Sequence, residues 1–321
     1  MTNDVLINIW KEIIISSWIS NEKDLVFLCK RRNDWILFFD NKKDIYIRFW
    51  REGTKKEFDL QKKFLSYNFQ VPEIIFSQEK WKYFFYVEKS LWNEVLWKQI
   101  LKKSITYKEW YKYLYNVLEN FLKSQKLTIN NDWNLKNIIS QLYMDNFKKE
   151  VLKLKIIKSD FIDRLYNKIY NELINNKYFV LTHGDFNSWN IFKKGFIDVE
   201  DSYNWIMWYD FISLITHQYW FPLEWERRIN FSFFTSDIKK MIRLYNDIFN
   251  TNIEKQFNLL FILRWIWACS WMEDFPEEQE FRFKRFKKYA EKYLNWESIL
   301  KFFLEEVNNI NQYLKNKEKQ N

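Results

Sequence analysis

The sequence predicts an α+β chain of two unequal lobes, a small β-rich N-terminal one and a larger, mainly helical C-terminal one. Three observations carry that expectation. Short runs rich in aromatic and branched residues cluster between Leu25 and Phe49 and recur at 83–87, with turn signals at Asn33-Asp34 and Asp40-Asn41. From Asn93 onward long amphipathic stretches dominate, notably 107–123 and 161–175. A single segment, FVLTHGDFNSWNIFKKGFIDVED at 179–201, interrupts the helical part with strands and a polar loop.

The elements follow in order. The strand Ile45-Tyr46-Ile47-Arg48-Phe49 gives way to a helical pattern marked by Phe58, Leu60, Phe64 and Leu65. Val71-Pro72 ends that helix, because the residue before proline is pushed toward extended backbone. Residues 83–87 form a further strand, and 88–91 leave it as a connection. The apolar run 179–181 leads into the polar loop, Phe196-Ile197 leads into Asp198, and helices resume near Tyr209. No Pro/Gly/Ser linker, repeat or low-complexity block intervenes, and 316–321 reads as a frayed tail. The lobes divide as 1–88 and 93–321, joined by a hinge at 89–92.

Composition bounds the function classes. The net charge of +9 is spread along the chain, with one denser run, RFKRFKK at 282–288, expected as a solvated helix face. No motif for binding nucleic acid accompanies it, so no nucleic-acid partner is expected. Two cysteines, Cys29 and Cys269, lie far apart in apolar contexts and read as buried thiols in a reducing compartment. With only two histidines, a structural zinc site is not expected. No uncharged run reaches the ~18 residues that span a bilayer; the longest candidate, 257–272, is broken by Arg264. The start, MTNDVLINIWKEII, lacks a basic region followed by a signal-type apolar core. No membrane partner and a cytoplasmic location are expected.

The segment 179–201 carries the chemistry. Asp185 is followed five residues on by Asn190 and eight further by Asp198, between apolar strands. Phosphoryl transfer from ATP needs one carboxylate at the acceptor hydroxyl and an amide and a second carboxylate against magnesium. Magnesium takes hard oxygen ligands and only one or two carboxylates from protein. His183-Gly184-Asp185-x-x-x-x-Asn190 with Ile197-Asp198-x-Glu200 resembles the catalytic core of the aminoglycoside phosphotransferase and choline kinase-like family, which has a protein kinase-like fold.

The resemblance implies an ATP- and Mg2+-dependent transfer of the γ-phosphate to a hydroxyl of a small molecule of the aminoglycoside, amino alcohol or sugar type, with a choline- or fructosamine-type kinase as an alternative. It makes Asp185 the catalytic base or hydroxyl-positioning group, Asn190 and Asp198 the metal ligands, and His183 a structural residue beneath the loop. Arg48 stands where protein kinases carry the phosphate-contacting lysine, with Glu57 its partner. Ser17 and Ser20, with Ser16 and Asn21, resemble the phosphate-facing loop. Backbone groups of Glu88, Lys89 and Ser90 are implied to hydrogen-bond adenine. The acidic residues Glu273, Asp274, Glu277, Glu278 and Glu280 read as solvated helix-terminus charge rather than as a site for a cationic acceptor. The acceptor itself and the oligomeric state stay open, as does a nucleotide-binding scaffold without catalysis.

Glycine is nearly missing: 3 Gly against 18 Trp. Several Trp fall where turn chemistry or the resembled family has glycine: Trp18, Trp35, Trp81, Trp92, Trp97, Trp189, Trp205 and Trp208. Trp at a left-handed turn position is sterically poor, whereas Gly is the default there. The reading favoured is that these are UGA codons which the source organism translates as glycine. Trp10, Trp110, Trp220 and Trp296 sit in aromatic or helical contexts that suit tryptophan.

Overall fold

A computed structural model describes residues 3–17, 19–30, 36–50, 55–80, 83–91, 94–130, 147–149, 152, 157–174, 179–220, 233–270 and 276–320. Trp18, Trp35, Trp81, Trp92, Glu273 and Asp274 lie outside them.

The N-terminal part is built on one antiparallel sheet. Its strands, β1 (Leu25–Lys30), β2 (Ile36–Asp40), β3 (Ile45–Trp50), β4 (Ile74–Lys80) and β5 (Tyr83–Lys89), lie in the order β1-β2-β3-β5-β4. Strand alternation gives the sheet two different faces. One face sets Ile36, Phe38, Ile45, Ile47, Phe49, Phe85 and Val87 against Trp10, Ile13 and Ile14 of helix α1 (Asn3–Ser16). The other carries Leu37, Arg48, Phe84 and Tyr86, with α2 (Lys55–Ser66) packed over it through Phe58. The helix α1 has no counterpart in the sequence reading.

The C-terminal part is mainly helical: α3 (Leu96–Leu101), α4 (Tyr107–Lys126), α5 (Ser159–Ile174), α6 (Tyr209–Thr216), α7 (Thr235–Phe249), α8 (Glu254–Ser270), α9 (Pro276–Leu294) and α10 (Ile299–Gln320). Thr106 and Glu109 cap α4 reciprocally, satisfying backbone donors that a helix start leaves open. Two small strand pairs are set among the helices. Strand β6 (Phe179–Thr182) pairs with β9 (Tyr203–Ile206), and β7 (Ile191–Phe192) with β8 (Gly195–Phe196). The two parts share one core where α2 ends: Phe64 and Phe69 meet Phe121 and Phe196. The Phe196 N–H donates to the Gln70 carbonyl at 2.9 Å. No described helix is long and apolar enough to cross a membrane.

The run 282–288 is not a uniformly solvated face. Arg282 is buried and donates to the carbonyls of Trp220 (3.2 Å) and Ala268 (2.6 Å). Arg285 donates to the Tyr219 carbonyl and pairs with Glu306 at 2.9 Å. Lys284, Lys287 and Lys288 alone face solvent. Helical spacing explains the split, since residues 282 and 285 share the face that looks inward. Cys269 is a buried free thiol, pushed up to about 12 by burial; the side chain of Cys29 is outside the described residues.

The tryptophans divide on conformation. Trp208 has φ +85°, ψ −9° just ahead of α6, and Trp296 has φ +60° just past α9. Trp296 is not in a helix but at its stop. The Glu297 N–H bonds back to the Lys292 carbonyl and the Trp296 N–H to Tyr293, the pattern in which glycine takes the left-handed position. Its side chain is 79% exposed. Trp97, Trp189 and Trp205 have negative φ, so conformation does not ask for glycine there. Trp10, Trp110 and Trp220 are core residues.

Candidate active site

The loop between β6 and β7 is held by backbone bonds before any ligand arrives. Asp210, on α6, accepts from the N–H groups of His183 and Gly184, both at 3.0 Å, and from Gln125 Nε2 at 3.0 Å. Burial pushes the Asp210 carboxyl up, and those donors oppose it. His183 lies under the loop between Phe186 and Phe196. Its Nδ1 accepts from the Asp185 N–H at 3.2 Å, so Nε2 carries the proton and donates to the Ile197 carbonyl at 2.8 Å. His183 is therefore structural, as expected. Gly184 has φ +84°, and a Cβ there would stand 2.1 Å from the Asp201 carbonyl oxygen; no other residue fits.

These bonds put Asp185 at the loop's open side. Arg264 of α8 donates from Nη2 to Asp185 Oδ1 at 2.7 Å and from Nη1 to the Gly184 carbonyl at 2.7 Å. Burial raises the Asp185 carboxyl, but Arg264 together with His217, His183 and Asn187 outweighs it and holds the group below the usual carboxylate range. Asn190 Nδ2 donates to the Asp185 carbonyl at 3.0 Å and lies 3.4 Å from Asp185 Oδ2. With its nitrogen engaged, the Asn190 amide oxygen is the atom left to serve as a ligand. The hairpin β7–β8 folds Asp198 back to the same end, as the Ile197 N–H bonds to the Asn190 carbonyl at 3.0 Å. Asp198 has φ +70°, a left-handed conformation that costs a non-glycine residue about 1–3 kcal/mol. An amide oxygen and a carboxylate suit magnesium, which leaves most of its sites to phosphate and water. Among the described residues no group of three or more His, Cys, Asp or Glu could hold a metal ion alone.

Arg48 and Glu57 are brought together: Nη1 lies 3.0 Å from Glu57 Oε1. Burial pushes the Glu57 carboxyl up to about 7, Arg48 opposes it, and Glu88, Asp198 and Glu200 add to it. The helix that carries Glu57 packs against the turn 199–201 that follows Asp198, which sets this pair near the loop end. Arg48 Nε also meets Glu88 Oε1 at 2.6 Å, and Gln61 Nε2 meets Glu88 Oε2 at 2.8 Å.

Other expected positions are elsewhere or already engaged. Ser17 follows the end of α1, its N–H bonded to Ile13, and the buried Ser20 hydroxyl donates to Asp40 Oδ2 at 2.5 Å. Both precede β1, so they are not the turn joining β1 to β2; that turn, 31–35, lies outside the described residues. Glu88 lies within β5, and its side chain belongs to the Arg48 cluster. The Lys89 N–H donates to Glu73 at 2.9 Å and the Ser90 N–H to Asp44 at 3.0 Å, so neither is free for adenine. A cavity of about 620 Å3 lined by Leu28, Phe39, Asn41, Asp44 and Tyr46 opens beside Ser90. Tyr46 shares the strand face of Arg48, and its ring packs on Phe39 at 4.7 Å.

Residues that sequence reasoning did not assign are Asp210, Arg264 and Gln125. Arg264 had a signal, a lone charge inside an apolar run. Asp210 had none, since nothing local says what the aspartate holds.

No protein-family model and no curated protein sequence matches the chain. Solved structures do. A candidate aminoglycoside phosphotransferase from Ralstonia eutropha superposes with TM-score 0.60 at 13% identity, covering 85% of this chain and 91% of that one. The ethanolamine kinase of Plasmodium vivax gives 0.53 at 14%, covering 92% and 89%. An aminoglycoside phosphotransferase from Streptomyces rimosus gives 0.50 at 10%, covering 84% and 100%. At these identities the likeness is one of fold: the chain has the bilobal kinase-like architecture of these proteins, a β-rich lobe before a larger helical one.

Proposed function

We propose that the chain is an ATP-dependent phosphotransferase that moves the γ-phosphoryl group to a hydroxyl of a small molecule. One observation carries the reading: a fixed loop presents the Asp185 carboxylate beside Asn190, and a hairpin returns Asp198 to the same end. A turn of ordinary chemistry has no use for a left-handed aspartate, a glycine with no room for Cβ and a buried arginine around three polar side chains. The fold shared with an ethanolamine kinase and aminoglycoside phosphotransferases supports the same reading, as does the Arg48–Glu57 pair.

In this reading Asp185 receives the acceptor hydroxyl and takes its proton as the oxygen attacks the γ-phosphorus and the bond to ADP breaks. Asn190 and Asp198 hold Mg2+, which supplies charge neutralisation for the phosphates when bound. Arg48, held by Glu57 and Glu88, offers positive charge to the phosphates. The cavity at Phe39 and Tyr46 takes the adenine ring by stacking. The lobes act as 1–88 and 93–321 about a hinge at 89–92.

The test is Mg-ATP binding by calorimetry, followed by ADP release with aminoglycosides, choline, ethanolamine, amino sugars and hydroxy-amino acids. Transfer to one of them is expected. Binding of Mg-ATP without transfer to any of them would favour a nucleotide-binding scaffold. No binding would end the reading.

A further inference from the structure

We propose that Arg264 is a positioning residue for phosphoryl transfer: its guanidinium fixes one oxygen of the Asp185 carboxylate and turns the other to the acceptor hydroxyl. The inference rests on the phosphotransferase reading above.

The geometry is that of a two-pronged clamp. Nη1 donates to the carbonyl of Gly184, while Nη2 donates to Oδ1 of the next residue's side chain. One planar group thus sets both the backbone and the χ2 torsion of Asp185, a torsion that is otherwise broad. Arg264 is itself immobilised. It is wholly buried, it donates to the Tyr209 hydroxyl at 3.2 Å, and its guanidinium carbon lies 3.8 Å from the Trp267 ring and 4.8 Å from that of Trp220. Asp185 keeps 25% of its side chain exposed, Arg264 none. Oδ1 is thus engaged by Arg264, and Oδ2, 3.4 Å from Asn190 Nδ2, is the oxygen left to face an acceptor.

Stability does not explain the arrangement. A buried ion pair contributes little net stability, because desolvating two charges offsets their attraction, and apolar residues of similar volume often serve as well. The residues that flank Arg264 along α8, from Leu259 to Cys269, are apolar or aromatic. What the arginine adds is a defined direction for Asp185. Errors of about 1 Å in such placement cost roughly 100-fold in rate. Lysine could supply the charge but not the fork that spans two residues.

The experiment compares Arg264→Met, Arg264→Lys, Asp185→Asn and the double variant Asp185→Asn with Arg264→Met. Mg-ATP affinity, melting temperature and ADP release are measured with the best acceptor of the panel or, if none is phosphorylated, with water. Arg264→Lys and Arg264→Met should each lose about tenfold to 100-fold in kcat, with Mg-ATP affinity changed less than about threefold. Arg264→Met should add less than about twofold to the loss already caused by Asp185→Asn, because its effect passes through that carboxylate. If Arg264→Met does not fold, Arg264→Lys decides. Wild-type kcat in Arg264→Lys, a lowered melting temperature with unchanged kcat, or a loss that adds in full to that of Asp185→Asn would each overturn the proposal. A wild-type protein that binds no Mg-ATP would instead overturn the phosphotransferase reading on which it stands.

Discussion

Each lobe holds a buried arginine paired with carboxylate, and the two differ in how the chain assembles the cluster. Arg48 draws its partners from its own lobe: Glu57 nine residues on, on the next helix, and Glu88 on the adjacent strand. Arg264 reaches Asp185 across 79 residues, and Asp210 holds the same loop from 26 residues away. The first cluster braces a sheet face. The second braces a loop of irregular backbone that could not hold its own shape. Local pairing is enough where hydrogen-bonded strands already fix the backbone; a loop with a left-handed glycine needs distant helices to fix it.

The largest effect should fall on the loop's own chemistry. Asp185→Asn is expected to lower kcat by about 100- to 10,000-fold with Mg-ATP binding retained, because the group acts on the acceptor and not on the nucleotide. Asp198→Ala should instead abolish Mg-dependent ATP binding in calorimetry. Full turnover in the first variant, or unchanged Mg-ATP affinity in the second, would remove the functional part of the comparison.

Next comes the bracing. Asp210→Ala leaves the N–H groups of His183 and Gly184 without their acceptor and should cost about 2–3 kcal/mol, seen as a lower denaturation midpoint. Glu88→Gln should cost less, since Arg48 keeps Glu57 and the sheet keeps its ladder. Equal losses in the two variants would show that the loop is no more dependent on distant support than the sheet.

How legible these regions were follows the same division. The strands from Leu25 to Phe49 and the helix with Phe58 and Phe64 were readable from local pattern and spacing, and the pairing of Arg48 with Glu57 only through the family resemblance. Asp185, Asn190 and Asp198 were readable as a motif, and the hairpin brings them together. The roles of Arg264 and Asp210 were not, since no local pattern links an apolar helix to a loop 79 residues earlier. The placement of Ser17 and Ser20 was not legible, because small polar residues near the N-terminus look alike in a phosphate loop and at a helix end. The α1 stop and the Ser20–Asp40 bond are tertiary facts. The inward turn of the Glu88 side chain was not legible, since the expectation there concerned only backbone groups and strand β5 runs on to Lys89.

A pH effect tests the packing behind the loop. Burial pushes the His217 imidazole down to about 3, against an ordinary value near 6.5. The unfolded chain binds that proton more readily, so stability present above about pH 6.5 is lost as pH falls toward 3, at up to roughly 1.4 kcal/mol per pH unit. His217→Gln should flatten that limb of the stability profile, measured by urea denaturation from pH 7 to 4. An unchanged slope would mean that other groups dominate acid unfolding.

The smallest test concerns two helix ends with opposite demands. Gly184 and Trp208 both have φ near +85°, and both flank the Asp210 bracing, yet one is the smallest residue and the other the largest. Trp208 is buried, and its Nε1 finds no acceptor among the described residues. Trp296 takes the glycine position at the end of α9 with its ring largely in water, although Lys168 lies over that ring at 3.4 Å. A bulky residue in the left-handed region costs roughly 1–2 kcal/mol, so Trp296→Gly should raise stability by about 1 kcal/mol, net of the lost lysine contact. Trp208→Gly relieves the same strain but removes buried apolar surface, so its gain should be smaller or reversed in a chain folded with tryptophan. A gene with UGA at both codons, together with a rise in melting temperature for Trp296→Gly, would support glycine as the natural residue at these two positions. UGG codons and a lower melting temperature for Trp296→Gly would instead establish that this chain holds tryptophan in a conformation that ordinarily belongs to glycine.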